Sequence, residues 1–336
     1  MADKVRVGVI GAGVMGRYHC ETLALRLPGA ALVAVADVDE DAARRAAGLA
    51  PAAAVLTDHR ALLADGSIQA VVIATPNDTH GALIREAARA GKHVFCEKPV
   101  ALDLASADAA LAEAAGQGVK LQIGFQRRFD PAYREARQAI ADGELGAVEL
   151  IVGTTRDPSP PGVEQLRRRG GLFTDTAIHD LDSVRFLTGL EVVEVFATAS
   201  TLVLPDGGEG FADTAVTALR LETGALAVIT NSLRAAYGYD VSMEVMGERG
   251  KIAVGYERQT AVRRLTAEGV RHDYVGWFLD RFGEAYQLEM AHFIDCVASD
   301  REPEVTGADG RAALALALLA ARSHREGRPL PAGEGG

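Results

Sequence analysis

The sequence predicts an α/β fold in two parts. A doubly wound parallel sheet comes first, followed by an α+β domain with an open, mostly antiparallel sheet. Three observations predict this. A glycine-rich turn stands directly between the first strand-like run and the first helical one. Through the first third, fully apolar runs alternate with helical stretches of about ten residues or more, the pattern of strands buried on both faces and joined by crossover helices. After residue 125, strand-like runs follow one another across short turns, which implies antiparallel pairing.

Taken in order, residues 4–10 are β-branched and strand-like, and residues 14–27 read as a helix. Apolar residues 31–36 form a second strand and the Ala-rich stretch 40–49 a second helix. Strands over 71–74, 93–96 and 120–123 alternate with helices over 79–90 and 105–115. Right-handed crossovers make such a series a doubly wound sheet. A helix over 131–141 then leads to a strand over 147–154. The stretch 157–162 holds three prolines and must be a loop, since proline cannot donate to a ladder. A helix over 174–187 precedes strands over 192–198, 214–221, 225–232, 241–246 and 252–254. Helices over 284–297 and 309–323 close the pattern, and the Gly/Pro-rich residues 329–336 read as a flexible tail. The division expected is 1–124, 125–328 and 329–336.

Bulk composition narrows the function. At 336 residues and 48% hydrophobic content, the chain can bury a core in each of two domains. A net charge of −11 argues against nucleic acid or an anionic membrane as partner, because both need a positive surface. Arg167, Arg168 and Arg169 make the longest basic run, which reads as a solvated helix face. The three cysteines, Cys20, Cys96 and Cys296, have no CxxC spacing, so buried inert thiols in a reducing cytoplasm are expected. Residues 1–7 pass straight into a strand pattern, and no apolar run is long enough to span a bilayer.

Gly11-Ala12-Gly13-Val14-Met15-Gly16 is a GxGxxG turn between strand and helix, the setting a dinucleotide site requires. Gly11 permits the tight turn, Gly13 lets a pyrophosphate approach the backbone, and Gly16 lets helix and strand pack closely. Asp37 ends the second strand, where an acid binds the ribose 2′-hydroxyl and repels a 2′-phosphate, so NAD is favoured over NADP. Asp39 is free to cap the following helix. The loop Thr75-Pro76-Asn77, with His80 beyond it, lies at the carboxyl end of a strand and is expected to face the cofactor. Asn77 to Thr79 can also cap the next helix, and His80 reads as structural rather than catalytic. Glu97-Lys98-Pro99 closes another strand, and a cis bond before Pro99 would aim Lys98 into the ligand cleft. Read as a bland surface pair, Glu97 and Lys98 would need no function. Asp175 and His179 stand four apart on a helix, with Asp182 three further on. That spacing fits a general base with its orienting carboxylate, a metal site, or a capped helix with a satisfied core histidine. For a metal the chain offers too few neighbouring ligands.

These motifs occur together in one order: the glycine turn, Glu97-Lys98-Pro99, the run Gly124-Phe125-Gln126-Arg127-Arg128-Phe129-Asp130, Arg156-Asp157-Pro158, the run from Gly170 to Asp175, and Ile178-His179-Asp180. In that order and approximate spacing the chain resembles the Gfo/Idh/MocA oxidoreductases, the family of glucose–fructose oxidoreductase and inositol dehydrogenase. Tyr237-Gly238-Tyr239-Asp240 and the stretch Phe278 to Phe282 look like its inositol 2-dehydrogenase branch. The resemblance covers residues 5 to about 323. It implies a catalytic trio of Lys98, Asp175 and His179, and places Gln126, Arg127, Asp157 and Tyr237 near a polyol. Glu97 and Lys98 then join the cofactor contacts. It further implies oxidation of myo-inositol or a related polyol or sugar with NAD, without metal, by a homo-oligomer, tetramer or dimer, associated through the open sheet. Thr155 and Asp157 stand where some inositol dehydrogenases carry His and Asn, and Gln126 where Asn or Met is more usual. The contrasting class is a catalytically silent NAD-binding regulator, which would be free to lose Lys98, Asp175 or His179.

Overall fold

Fully apolar runs seek a place where both faces are covered, and in the computed structural model they find it in a six-stranded parallel sheet. The structure describes residues 4–207, 211–255 and 262–335, so residues 1–3 of the expected N-terminal run and Gly336 of the tail lie outside it. The first unit begins with β1 (Val5–Ile10), α1 (Val14–Glu21), β2 (Ala30–Ala36) and α2 (Glu40–Ala47). It continues with β3 (Ala54–Leu56), α3 (His59–Ala64), β4 (Ala70–Ile73) and α4 (His80–Arg89). β5 (His93–Glu97), α5 (Leu104–Gly116) and β6 (Leu121–Gly124) complete the alternation. The strand order β3-β2-β1-β4-β5-β6 reverses direction of growth at β1, the doubly wound Rossmann arrangement. Its helices are held by local rules. Asp39 caps α2 by accepting from Asp41 and Ala42, and Asp103 caps α5 by accepting from Ser106.

In the second unit come α6 (Pro131–Ala141), β7 (Val148–Arg156), α7 (Val163–Arg168) and α8 (Ile178–Thr188). These are followed by β8 (Val192–Ser200), β9 (Thr214–Leu221), β10 (Leu226–Ser232), β11 (Asp240–Gly247) and β12 (Gly250–Val254). β13 (Arg263–Thr266) and β14 (Gly269–His272) pair as a separate exposed hairpin. Last are α9 (Phe278–Ser299), α10 (Gly307–Glu326) and β15 (Leu330–Pro331). The larger sheet runs β12-β11-β7-β10-β9-β8-β15 and is antiparallel except where β10 lies parallel to β7.

The division of the chain departs from a single cut after residue 124. One unit reaches Gln126 and takes back Tyr286–Leu314; the other holds Arg127–Ala285 and the segment from Ala315 onward. Met290, Phe293 and Ile294 of α9 share one apolar cluster with Val7, Val9 and Phe95, and this burial draws the late segment into the first unit. The tail also departs from expectation. Leu330 is fully buried and pairs with Val195, so β15 adds an edge strand where flexibility was expected. Two expected helices are irregular: Thr22–Arg26 follows α1 as a π turn, and Phe173–Ala177 precedes α8 as another. Cys20, Cys96 and Cys296 are free and buried, and burial pushes the Cys20 thiol up to about 12.

The three glycines of the turn differ in what surrounds them. Gly11 has φ +95°, and a Cβ there would sit 2.5 Å from the Ala74 carbonyl oxygen. At Gly16 a Cβ would lie 1.9 Å from the Gly11 oxygen, while at Gly13 it would meet nothing within 4 Å. Gly16→Ala should therefore cost about 3 kcal/mol of stability through overpacking against backbone. Gly13→Ala should stay within about 1 kcal/mol of the parent. Midpoints of urea unfolding for the two variants check this contrast.

Candidate functional site

In the first unit, the candidate cofactor residues gather at the carboxyl ends of β1, β2, β4 and β5. Gly13 caps α1 without a side-chain bond, and Val14 beside it is 63% exposed, so the backbone at this turn is open to a ligand. Gly11, Met15 and Gly16 complete the loop. Asp37 closes the far side. Its Oδ2 accepts from the Ala12 amide at 2.6 Å and its Oδ1 from the Asp39 amide at 2.9 Å. One carboxylate thus ties the end of β2 to the glycine turn and stays partly exposed. These groups suit a dinucleotide: a turn open for the pyrophosphate and an acid at the distance along the chain that a ribose needs.

Thr75 and Pro76 begin the loop after β4, and Asn77 opens the short 3-10 turn Asn77–Thr79. The Thr79 hydroxyl binds the Thr75 hydroxyl at 2.6 Å and the Pro76 carbonyl at 2.7 Å, which bends the loop back on itself. His80 is fully buried, its ring nitrogens 2.7 Å from the Pro99 carbonyl and 3.0 Å from that of Thr75. Burial holds its pKa below the ordinary histidine value, against the two carbonyl acceptors, which favour the ring protonated at both nitrogens. The peptide before Pro99 is cis. Lys98 follows Glu97, whose own carboxylate turns inward to His19 Nε2 at 2.7 Å. Gln126, the last residue of the unit's first segment, is 2% exposed.

The second unit carries the remaining candidates. Asp175 lies in the π turn Phe173–Ala177, and His179 in the first turn of α8. π turns inside helices often mark functional positions. Arg169 approaches the Asp175 carboxylate at 3.3 Å. Asp182 is the other acid in helical register with His179, but its two oxygens take Arg128 Nε at 2.9 Å and Nη2 at 2.6 Å. That bidentate pair commits Asp182 to Arg128.

Arg127 is 1% exposed, and its guanidinium reaches Asp180 Oδ1 and the Thr155 hydroxyl at 2.7 and 2.8 Å. Thr155 in turn donates to Asp180 at 2.7 Å, and Asn231 donates to the other oxygen of Asp180 at 2.7 Å. Burial opposes the charge on Arg127, but the Asp180 carboxylate overrides it and holds the pKa above the usual arginine value. Asp157 follows β7, its amide bonded to the Ser232 carbonyl at 3.0 Å. Tyr237 is 54% exposed and donates to Asp240 at 2.6 Å. Asp240 also takes Arg156 at 2.7 Å and Tyr274 at 3.0 Å. Burial of its hydroxyl, together with the bond to Asp240, pushes the Tyr237 pKa up.

Sequence reasoning missed two groupings. Asp180 and Asp240 are each the shared acceptor of a network, although the motifs containing them were visible. His19, Glu97 and Glu289 meet in the first unit, with ligand-type atoms all within 4.8 Å of one another. No spacing rule links residues so far apart in the chain.

An open glycine turn on a doubly wound sheet, with an acid at the end of β2, defines the dinucleotide-binding class of Rossmann domains. Residues 5–125 match the model of the oxidoreductase family with an NAD-binding Rossmann fold, and residues 133–253 match the GFO/IDH/MocA C-terminal domain. The chain belongs to the Gfo/Idh/MocA family of oxidoreductases. It is 42% identical over 331 residues to the inositol 2-dehydrogenase of Rhizobium meliloti, covering 97% of this chain and 98% of that one. With the myo-inositol 2-dehydrogenase of Thermotoga maritima it shares 40% over 326 residues, 96% and 97% of the two chains. Among solved structures, scyllo-inositol dehydrogenase of Lactobacillus casei with bound NAD(H) and scyllo-inositol superposes with a TM-score of 0.92 at 28% identity, covering 98% and 100%.

Removing one partner of the buried Arg127–Asp180 pair strands the other in a dry interior. Arg127→Met should therefore cost roughly 3–5 kcal/mol, read as a lowered denaturant midpoint with unchanged slope.

Proposed function

We propose that the chain is an NAD-dependent dehydrogenase that oxidises a secondary alcohol of a cyclic polyol, with myo-inositol converted to 2-keto-myo-inositol. The observation that carries this reading is that one chain keeps Lys98, Asp175 and His179 together with an open glycine turn. A silent NAD-binding regulator would have no use for the trio. Near-full-length likeness to proteins named for inositol oxidation supplies the substrate class.

Oxidation removes a proton from the hydroxyl and a hydride from its carbon. His179, as the unprotonated imidazole, takes the proton. Asp175 orients the imidazole and stabilises its cation, since Asp182 is already held by Arg128. Lys98 donates a hydrogen bond to the reacting oxygen and offsets its developing negative charge. NAD, when bound, would supply the hydride acceptor, and the chain's residues would hold it in place. Gly11, Gly13, Val14, Met15 and Gly16 receive its pyrophosphate, Asp37 the adenosine ribose, and Thr75, Pro76, Asn77 and His80 flank the remainder. Asp37 repels a 2′-phosphate, which favours NAD over NADP. Gln126, Asp157 and Tyr237 are the proposed polyol contacts. Arg127, bonded to Asp180 and Thr155, is the fourth proposed contact. Three buried free thiols fit a reducing cytoplasm, and among the described residues no helix is long and apolar enough to cross a membrane.

The chain is also proposed to form a homo-oligomer, a tetramer or dimer, through the open face of the larger sheet. Strand register lines up Val152, Val228, Ala218 and Phe196 in a row across β7, β10, β9 and β8. Val152 and Phe196 are 38% and 39% exposed, an apolar row that a second copy would cover. Phe196→Glu should lower the mass measured by light scattering to that of a smaller species without unfolding the chain. An unchanged mass would remove this face from the interface.

The decisive assay follows reduction of NAD and NADP across a panel of inositol isomers and pyranoses. NAD-linked oxidation of myo-inositol is expected, with His179→Ala and Lys98→Ala each losing roughly 100- to 10,000-fold in turnover while still binding NAD. Oxidation of scyllo-inositol or a sugar alone would transfer the substrate assignment to the positions Gln126, Thr155 and Asp157. Silence across the panel with NAD bound would favour the regulator.

A further inference from the structure

Three titratable side chains from three elements meet in the core of the first unit, and the chemistry proposed above uses none of them directly. His19 lies on α1, Glu97 ends β5, and Glu289 lies on α9. His19 and Glu289 are fully buried and Glu97 is 8% exposed. His19 Nε2 stands 2.7 Å from Glu97 Oε1. Both carboxylate oxygens of Glu289 and the Nδ1 of His19 are buried without a hydrogen-bond partner. Phe95 and Tyr286 pack edge-on against the imidazole, with Tyr18 beside it. Gly124 faces the Glu97 carboxylate so closely that a Cβ there would lie 3.1 Å from Oε2. The other titratable groups near Glu97 are its chain neighbours Cys96 and Lys98, and His80 on α4.

Two carboxylates cannot both stay ionised so close together in an apolar enclosure. An orphaned carboxylate is far costlier to bury than a neutral acid. We propose that His19, Glu97 and Glu289 form a buried proton-holding site, in which one proton is shared within the cluster and rests on Glu289 as a neutral acid, Glu97 is the carboxylate that takes a hydrogen bond from His19, and the fixed Glu97 positions Lys98. Burial, reinforced by the charge of Glu97, holds the Glu289 carboxyl well above the usual carboxylate range. A metal ion is the competing occupant of such a set. Two ligands at the 2.0–2.1 Å of a tetrahedral zinc site stand roughly 3.3 Å apart. The 2.7 Å between His19 and Glu97 is instead the length of a charge-assisted hydrogen bond. Lys98 is the residue after Glu97, so whatever locks the Glu97 side chain also locks the backbone from which the lysine projects. Glu289 and His19 are thus positioning residues. The role assigned to Lys98 rests on the dehydrogenase reading; the shared proton does not.

The test uses the full chain and two variants, Glu289→Gln, a neutral side chain of nearly the same shape, and Glu289→Ala, which removes the carboxyl and leaves its space empty. Infrared difference spectra at pH 8 should show a protonated carboxylic acid band in the parent that is absent in Glu289→Gln. After reductive methylation with 13C-formaldehyde, the Lys98 resonance, assigned with Lys98→Arg, should move in Glu289→Ala and hold its place in Glu289→Gln. In the polyol assay Glu289→Gln should keep kcat within threefold of the parent, and Glu289→Ala should lose tenfold or more with NAD affinity little changed. Absence of the acid band, or a stoichiometric divalent metal in the purified protein that Glu289→Gln eliminates, overturns the shared proton. A Lys98 resonance equally unmoved in both variants overturns the positioning role. Neither spectroscopic result requires turnover, so a chain that oxidises no polyol would defeat the dehydrogenase reading and leave this site to be judged by itself.

Discussion

The Asp180 carboxylate is the point on which the second unit is organised. It is fully buried and takes three hydrogen bonds, from Arg127 ahead of α6, from Thr155 on β7 and from Asn231 on β10. A buried carboxylate is tolerable only when paired and saturated with donors, and here the sheet supplies two and the turn before α6 the third. His179 is the next residue along the chain. Fixing Asp180 against two strands therefore fixes the backbone from which the imidazole projects. Arg128 with Asp182 and Arg281 with Asp130 repeat the device nearby, each pair buried and in close contact. Arginine suits this work because its planar fork keeps its charge and directs its bonds.

In the first unit the corresponding constraint is the closeness of main chain to main chain. Gly11, Gly16 and Ala74 approach to distances that no Cβ would permit, which brings the end of β1, the start of α1 and the end of β4 together. Asp37 adds a tie from β2 by taking the Ala12 amide. Backbone groups rather than side chains then line the turn, and at Gly13 a Cβ would meet nothing within 4 Å, so its missing side chain is not required by the fold. Behind β5, the inward turn of Glu97 to His19 converts what reads as a surface charge pair into a core contact.

Much of this was legible in the residues because it depends on local rules. Strands buried on both faces are uniformly apolar, caps are Asp followed by the right spacing, and proline excludes the 157–162 loop from any ladder. Other features escaped for physical reasons. β3 and α3 are too short to show a period. The π turn at Phe173–Ala177 changes residues per turn without changing composition. The Gly/Pro-rich tail is held at Leu330–Pro331 because Leu330 finds a buried slot beside β8, which composition does not report. Arg127 read as a polyol contact through resemblance, whereas its guanidinium is taken up by Asp180 and Thr155.

The sequence by itself determined the class of fold, the glycine turn with its acid at Asp37, and the residue types available for proton transfer. Each is written in periods and spacings a few residues long, where local sterics and hydrogen bonding decide the outcome. Only the tertiary structure decided which carboxylates are spoken for, which segment completes each core, and which distant groups share a dry enclosure. Asp180, Asp182 and Glu289 look alike as letters. Burial and partners, which are properties of the packed chain, make one the acceptor of three donors, one the partner of an arginine, and one a carboxyl buried beside His19 and Glu97.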